Sequence, residues 1–224
     1  MIQRVADGEL GVTEGLWLRA DRQQSGRGRL GRDWESPAGN VYTSTVVRLA
    51  DGDPLAPTLA FVAAVAVHHT LAAFAPAVSF QIKWPNDILT GGGAKISGIL
   101  LERSGDAVIV GIGVNLVNHP AGLPRAVTSL AALGIAPPNP QAFVEQLAAV
   151  FAAYLGQWRT HGLGAILSAW REFAHPIGTA MSVHLPDGAI LAGSFDGLGD
   201  DGALNLRLAD GAVRAIHAAD VFLV

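Results

Sequence analysis

The hydrophobic pattern of the first half of the chain predicts several strands and one helix. Five segments are β-branched or otherwise strand-like: 15–19, 41–49, 79–84, 96–102 and 107–115. Apolar residues at helical spacing predict a helix over 57–74, and a glycine run at 91–93 marks a hairpin turn. Because the strands come in runs and do not alternate with helices, the pattern favours an α+β core with a mixed sheet over a doubly wound one.

The second half of the chain begins with two predicted helices. A proline-marked loop over 120–139 precedes a strongly apolar helix over 141–161 and a shorter helix over 163–173. The longer helix is expected to pack into the core and to carry no functional site.

Beyond Pro176 the pattern changes to short alternating runs. Three turn pairs separate these runs: Asp187-Gly188, Asp201-Gly202 and Asp210-Gly211. Such closely spaced turns predict a small antiparallel β-barrel. We therefore expect one domain over 1–174 and a second, smaller domain over 175–224.

Composition and charge exclude several classes of protein. The 224 residues are 50% hydrophobic and 15% charged, which is enough for a large core. No cysteine is present, so a disulfide framework, a thiolate nucleophile and a cysteine-bound metal are excluded, and a cytoplasmic location fits. The net charge of -4 disfavours general nucleic-acid binding. No apolar run reaches the roughly 18 residues of a membrane span, and the N-terminus lacks the apolar segment of a signal peptide.

The segment 23–34 is the densest cationic stretch of the chain. Arg27, Arg29 and Arg32 are separated by glycines, and Trp34 follows them. Glycines let backbone N–H groups approach a ligand, and guanidinium groups match phosphate and carboxylate oxygens. The segment therefore indicates an anion-binding loop in which Trp34 offers a flat face to a purine. A solvated loop and an RGG-like nucleic-acid contact are the alternatives.

The sequence Lys83-Trp84-Pro85-Asn86-Asp87 ends a predicted strand. Proline fixes its own φ and restricts the residue before it, so Asn86 and Asp87 lie at a rigid strand end, where functional groups are often found. The alternative is an Asx-type turn that only reverses the chain.

Two glycine-containing strands carry further candidate residues. Lys95 enters an apolar strand after the glycine run, but the segment is not a P-loop because a strand, not a helix, follows. A lysine that protects a strand edge from aggregation is the alternative. Gly111, Gly113 and Asn115 end the next strand, where glycine often marks close approach of a ligand or of backbone. Asn115 would read a base edge or cap the loop.

Four motifs, in this order, resemble the catalytic domain of bacterial biotin protein ligases. They are Gln24-x-Gly26-Arg27-Gly28-Arg29-x-Gly31-Arg32, Lys83-Trp84-Pro85-Asn86-Asp87, Lys95-x-x-Gly98-Ile99-Leu100-x-Glu102 and Gly111-x-Gly113-x-Asn115. The C-terminal barrel is similar to the SH3-like cap of that family. The resemblance implies an α+β fold of the class II aminoacyl-tRNA synthetase and biotin ligase type, with a mixed β-sheet packed with helices and a small SH3-like β-barrel.

The resemblance also implies roles for the matched residues. Arg29, Lys95 and Asp87 would be catalytic: Lys95 would bridge the carboxylate of biotin and the α-phosphate, and Asp87 would face the acceptor lysine. Trp34 would stack near the adenine. The residues implied to bind biotin or its adenylate are Gln24, Gly26, Arg27, Gly28, Leu30, Arg32, Trp34, Lys83, Trp84, Asn86, Gly98, Gly113 and Asn115. Metal ligands are not identified by the motifs.

The implied reaction is the ATP-dependent formation of biotinyl-5′-AMP, followed by transfer of biotin to a lysine. The substrates would be biotin, ATP with Mg²⁺, and a biotin carboxyl carrier protein or domain of a biotin-dependent carboxylase. A homodimer is compatible with the family, and neither DNA nor a membrane is an expected partner.

The chain departs from the family in two respects. The family carries a Ser-Thr-Asn turn upstream of the arginine-rich loop, and this chain begins too late to contain it, so we expect either an upstream start or poor biotin binding. The helix-turn-helix of some members has no counterpart, so no repressor role is expected. The alternatives are a lipoate or octanoate ligase or transferase, a nucleic-acid-binding protein that uses its arginine loop, and a nonfunctional ligase remnant.

Overall fold

A six-stranded sheet forms the centre of the molecule, in a computed structural model that describes residues 12–224. Its strands are β1 (Trp17–Ala20), β2 (Val41–Arg48), β3 (Phe80–Lys83), β4 (Asp87–Thr90), β5 (Lys95–Ser104) and β6 (Ala107–Val114). Their order is β1-β2-β6-β5-β4-β3, and every ladder is antiparallel. Within residues 12–224, parallel pairing occurs at two isolated bridges, Ile82 with Ala174 and Lys95 with Val127, and the predicted mixed character of the sheet is limited to these points. The N-terminal segment, whose sequence predicts no signal peptide, lies outside the described residues.

Helices α1 (Leu59–Phe74) and α2 (Pro140–His161) pack on one face of this sheet, and α3 (Leu163–Glu172) packs against both of them. The side chain of Asn139 accepts hydrogen bonds from the first N–H groups of α2, and Pro140 occupies a position where no N–H is needed. Residue Gly162, with φ of 74°, ends α2 and precedes α3. The predicted helices are therefore confirmed to within a few residues at each end.

Helix α1 is apolar all round because it is enclosed on several sides. It contacts strands β3 to β6 as well as both other helices. The stretch Ala56–Phe74 is long and apolar enough to cross a membrane by length and composition, with a mean hydropathy of 1.5. Since 67% of it is buried inside the protein, this composition fits a central core helix.

A second sheet contains the C-terminal strands β7 (Ala180–His184), β8 (Ile190–Leu198), β9 (Leu204–Arg207), β10 (Val213–Ile216) and β11 (Asp220–Leu223). All its ladders are antiparallel, and the order is β10-β9-β8-β7-β11. The three predicted Asp-Gly turns are confirmed, since Gly188, Gly202 and Gly211 have φ of 87°, 84° and 86°. The two end strands share no ladder in the described residues, so the predicted barrel is an open five-stranded sheet.

Several contacts join the second sheet to the first part of the chain. The Trp84 indole donates a hydrogen bond to the carbonyl of Gly202 (3.1 Å), and Arg171 donates to the carbonyl of Leu198 (2.9 Å). Helix α3 ends at Glu172 and β7 begins at Ala180. The predicted division between residues 174 and 175 lies in this connection and stays a prediction.

Arg159 ties the N-terminal end of the described chain to α2. Its guanidinium donates two hydrogen bonds to the Glu14 carboxylate (2.6 and 2.9 Å) and one to the carbonyl of Arg48 (2.7 Å). The bond from Arg159 holds the pKa of Glu14 below its ordinary value of 4.5, although partial burial opposes this shift. A lowered pKa stabilises the fold above pH 4.5, and this stabilisation is lost as the pH falls through the folded-state pKa.

Replacing Arg159 with Ala should therefore lower the free energy of unfolding by about 1–2 kcal/mol near neutral pH. Urea unfolding of both proteins at neutral pH and well below pH 4.5 measures this, and the difference should shrink in acid. Arg159→Lys keeps the charge but lacks the forked donors, so its free energy of unfolding should lie between those of the wild type and Arg159→Ala. A difference that is the same at both pH values would contradict an ion-pair origin.

Candidate active site

A cavity of about 410 Å³ opens on the face of the central sheet that the helices do not cover. Alternate residues of strand β6 face the core on one side of the sheet and the cavity on the other. Val108 and Val110 point into the core, whereas Ile109 and Gly111 line the cavity. The volume lies in the range that encloses a small organic ligand.

The register of three strands builds the floor of the cavity. Gly113 on β6 lies opposite Tyr42 on one side and Gly98 on the other. Two bare glycines are thus direct cross-strand neighbours, and the Trp34 ring lies over both. A β-carbon on Gly113 would lie 2.6 Å from Cζ2 of Trp34, and one on Gly98 would lie 3.0 Å from Cζ3. Only glycine leaves room for an aromatic group at this depth.

The arginine-rich loop folds back on itself above this floor. The N–H of Gly28 donates to the carbonyl of Arg32 (2.7 Å), and the N–H of Trp34 donates to the carbonyl of Gly26 (2.9 Å). Between them Leu30 adopts a left-handed backbone, with φ of 56°, which is costly for a residue with a side chain. The folded loop brings Arg27, Arg29 and Arg32 to the wall of the cavity and leaves Leu30 76% exposed.

The C-terminal sheet fixes two of the arginines. Arg29 donates to the carbonyl of Ala219 (3.3 Å) and to Oδ1 of Asn86 (3.4 Å), and Asp220 lies 3.9 Å away. Asp220 also forms an ion pair with Arg32. The first strand residue of β11 thus orients the loop from the other part of the molecule.

A buried carboxylate, Asp87, lies at the far wall among three cations. It forms an ion pair with Lys95 through Oδ1, while Lys83 lies 3.2 Å and Arg125 4.0 Å from Oδ2. Burial raises the pKa of Asp87, but the charges of Lys95 and Lys83 outweigh it, so the pKa lies below the ordinary value. Burial also lowers the pKa of Lys95, with Arg125 acting in the same direction and Asp87 opposing. Asp87 is therefore ionised at neutral pH.

The structure brings most of the predicted site residues together. The predicted residues that line the cavity are Arg27, Gly28, Arg29, Arg32, Trp34, Lys83, Asn86, Asp87, Lys95, Gly98 and Gly113. The ammonium of Lys95 lies 5.3 Å from the centre of the Trp34 ring. Arg29 and Lys95, 66 positions apart in sequence, thus share one cavity.

Five predicted binding residues lie outside the wall of the cavity. Gln24 and Leu30 are exposed, and Gly26 is packed inside the loop. Trp84 is buried and bonded to the second sheet, and Asn115 is buried with its amide donating to the carbonyl of Thr128 (3.0 Å). The geometry gives these five positions structural contacts, and their binding roles stay predictions.

The sequence motifs do not include three residues that shape the site. Arg125 and Asp220 line the cavity, but neither belongs to a recognisable motif. Asn40 is 1% exposed and accepts backbone hydrogen bonds through Oδ1 from residues 116, 117 and 118, at 2.9–3.0 Å. It therefore fixes the loop that leaves β6. In the sequence, Asn40 is marked only by its place directly before a β-branched strand, which does not indicate this role.

Comparisons with known proteins agree with this geometry. Residues 10–115 match the profile of the biotin/lipoate A/B protein ligase family, and residues 182–224 match that of the biotin protein ligase C-terminal domain. The chain is 41% identical to a biotin–acetyl-CoA-carboxylase ligase of Paracoccus denitrificans, covering 95% of this chain and 92% of that protein. The chain belongs to the biotin protein ligase family.

Two further biotin protein ligases, one compared by sequence and one by structure, extend the comparison. The chain is 33% identical to the bifunctional ligase/repressor of Bacillus subtilis but spans only 66% of the length of that protein. A structure of the biotin protein ligase from Aquifex aeolicus, in complex with biotin and ATP, superposes with a TM-score of 0.87 at 25% identity, over 99% of this chain and 94% of that one. The predicted fold class and family are thereby confirmed.

The glycine floor of the cavity gives a steric prediction. Gly113→Ala should displace the Trp34 ring, because the new methyl group overlaps it, and should raise the acrylamide quenching of tryptophan fluorescence. Gly111→Ala is the matched control, since its β-carbon meets nothing closer than 3.5 Å. A Trp34→Phe background should abolish the difference. Equal quenching in the two glycine variants would show that Trp34 does not lie on this floor.

Proposed function

We propose that this chain uses ATP to activate biotin as biotinyl-5′-AMP and then transfers the biotin to a lysine of a biotin carboxyl carrier protein or domain. The observation that carries the proposal is the convergence of Arg29 and Lys95, from separate segments, on one glycine-floored cavity. The relatives named as biotin–acetyl-CoA-carboxylase ligases and the neighbour that binds biotin and ATP support the same activity.

The chemistry of activation explains the need for cations. An oxygen of the biotin carboxylate forms a bond to the α-phosphorus of ATP, and the bond from that phosphorus to the β-bridging oxygen breaks. The carboxylate is already ionised at neutral pH, so no general base is needed. The barrier is the repulsion between an anion and a polyphosphate. Arg29 and Lys95 would lower it by holding positive charge where negative charge accumulates.

The transfer step needs a base near the mixed anhydride. The amine of a free lysine has a pKa of about 10.4, so it is mostly protonated at neutral pH. Asp87 is ionised, and it lies beside Lys95 in the wall of the cavity. It would orient the incoming amine and accept a proton as the amine attacks the carbonyl carbon of biotin and AMP leaves.

The cavity suits a magnesium ion that is bound mainly through phosphate oxygens. In the described residues, no group of three or more His, Asp or Glu side chains gathers into a metal site. Asp33 and Glu102 line the cavity, and carboxylate oxygens are among the ligands that Mg²⁺ prefers. When bound with ATP, the ion would neutralise phosphate charge. Asp33 and Glu102 would hold it from the protein side.

A lipoate or octanoate ligase is the second candidate, because the matched family profile includes both biotin and lipoate ligases. Isotope exchange between ATP and pyrophosphate, with biotin, lipoate or octanoate supplied in turn, separates the candidates. Biotin-dependent exchange, followed by biotinylation of an added carrier domain, supports the proposal. Exchange with lipoate or octanoate but not with biotin would overturn it.

A further inference from the structure

Arg125 is a cationic residue of the cavity wall that no sequence motif includes. Its segment is joined to the start of β5: the N–H of Lys95 donates to the carbonyl of Ala126, and the N–H of Thr128 donates to the carbonyl of Lys95, both at 2.9 Å. A parallel bridge also pairs Lys95 with Val127. These bonds fix the backbone of Arg125 beside the proposed catalytic lysine.

The charge around Asp87 is unbalanced. Lys83, Lys95 and Arg125 surround a single carboxylate, which leaves two positive charges uncompensated within this cluster. The side chains of Lys83 and Lys95 are only 12% and 8% exposed, whereas that of Arg125, which lines the cavity, is 40% exposed. In the part of the chain that the structure describes, Arg125 comes no closer to Asp87 than 4.0 Å. Its fork of donors can therefore turn to an anion in the cavity.

The two oxygens of Asp87 separate the cations into two positions. Lys95 contacts Oδ1, whereas Lys83 and Arg125 lie on Oδ2. Lys95 is the proposed partner of the α-phosphoryl group of ATP. The position formed by Lys83 and Arg125 is then next to that group, where the polyphosphate chain continues. Successive phosphoryl groups are covalently linked, so a positive position beside the first suits the second and third.

We propose that Arg125, assisted by Lys83, binds the β- and γ-phosphoryl groups of ATP and then the departing pyrophosphate. This assignment rests on the proposed ligase function. As the carboxylate of biotin attacks the α-phosphorus, the electron pair of the breaking bond goes to the pyrophosphate oxygen. Arg125 meets the charge that develops there. After pyrophosphate leaves, the guanidinium returns toward Asp87.

The test compares Arg125→Ala with wild type in three assays on the full chain. In biotin-dependent exchange, the KM for ATP should rise about tenfold or more, as expected for the loss of a charge-assisted hydrogen bond. Inhibition of adenylate formation by added pyrophosphate should weaken by a similar factor. Transfer from purified biotinyl-5′-AMP to a carrier domain should keep its rate, because no pyrophosphate is involved.

Two control variants make the result specific. Arg125→Lys should retain much of the ATP affinity, since a point charge still attracts phosphate. Arg103→Ala removes the same charge at an exposed position outside this cavity, where the guanidinium donates to the carbonyl of Gly105 (2.9 Å), and should change none of the three assays. Thermal unfolding of each variant checks that the fold is retained.

Several outcomes would overturn the assignment. A slower transfer from purified biotinyl-5′-AMP, with unchanged ATP and pyrophosphate behaviour, would place Arg125 in the acceptor step. No change in any assay would show that it is a surface charge. A wild-type protein without biotin-dependent exchange would refute the ligase function itself, which separates that failure from a wrong role for Arg125.

Discussion

Lys95→Met should reduce the rate of biotin-dependent ATP–pyrophosphate exchange by about a hundredfold to a thousandfold, the usual cost of removing one preorganised charge from a developing anion. The reduction should fall mainly on kcat, because Lys95 would act on the phosphoryl group most strongly as the new bond forms. Its side chain is 8% exposed and its ammonium is paired with Asp87, so its position is fixed before any ligand arrives. The measurement is steady-state exchange at several concentrations of biotin and ATP.

The Lys95→Met protein should remain folded. Asp87 keeps Lys83 at 3.2 Å and Arg125 at 4.0 Å, so its buried charge is not left without a partner. Thermal unfolding provides the control, and Lys95→Arg reports whether charge alone is sufficient. Exchange at a wild-type rate in a folded Lys95→Met protein would remove Lys95 from the chemistry.

Asp87→Asn should separate the two half-reactions. The variant keeps the size of the side chain but loses the proposed proton acceptor, so transfer from purified biotinyl-5′-AMP to a carrier should slow by about a hundredfold or more. Adenylate formation needs no base and should fall much less. Single-turnover transfer, with purified adenylate and excess carrier, measures the affected step directly.

The pH dependence of transfer follows from the direction of the shift at Asp87. Its pKa lies below the ordinary value of 3.8 because Lys95 and Lys83 outweigh the effect of burial, so the carboxylate stays charged above that pH. Transfer by the wild-type protein should therefore rise with pH near neutrality as the acceptor amine loses its proton, without an inflection from Asp87. Equal transfer rates for Asp87→Asn and wild type would exclude the base role.

Local patterns in the sequence predict most of the secondary structure. The β-branched run that forms β2, the apolar helix α1 and the Asp-Gly turns depend on residues close together in the chain. Glycines at positions 98 and 113 indicate close approach of some group. The antiparallel register then makes them direct neighbours, a relation that no local pattern contains.

Contacts between distant residues explain where the sequence-based predictions stop. Trp84 belongs to a ligand-binding motif by resemblance, yet its indole bonds to Gly202, 118 positions later. Asp220 and Arg125 reach the cavity only because separate segments fold against the central sheet. The open C-terminal sheet likewise depends on how β10 and β11 lie relative to each other, which turn residues do not determine.

A structure of the protein bound to a non-hydrolysable analogue of biotinyl-5′-AMP tests most directly whether Arg29 and Lys95 act on the same group. We expect the ammonium of Lys95 and the guanidinium of Arg29 to lie within about 3.2 Å of oxygens at the junction between biotin and the nucleotide. The analogue would fill the cavity that Arg29 and Lys95 line. An analogue bound elsewhere, or a junction that contacts neither cation, would contradict the role of this cavity.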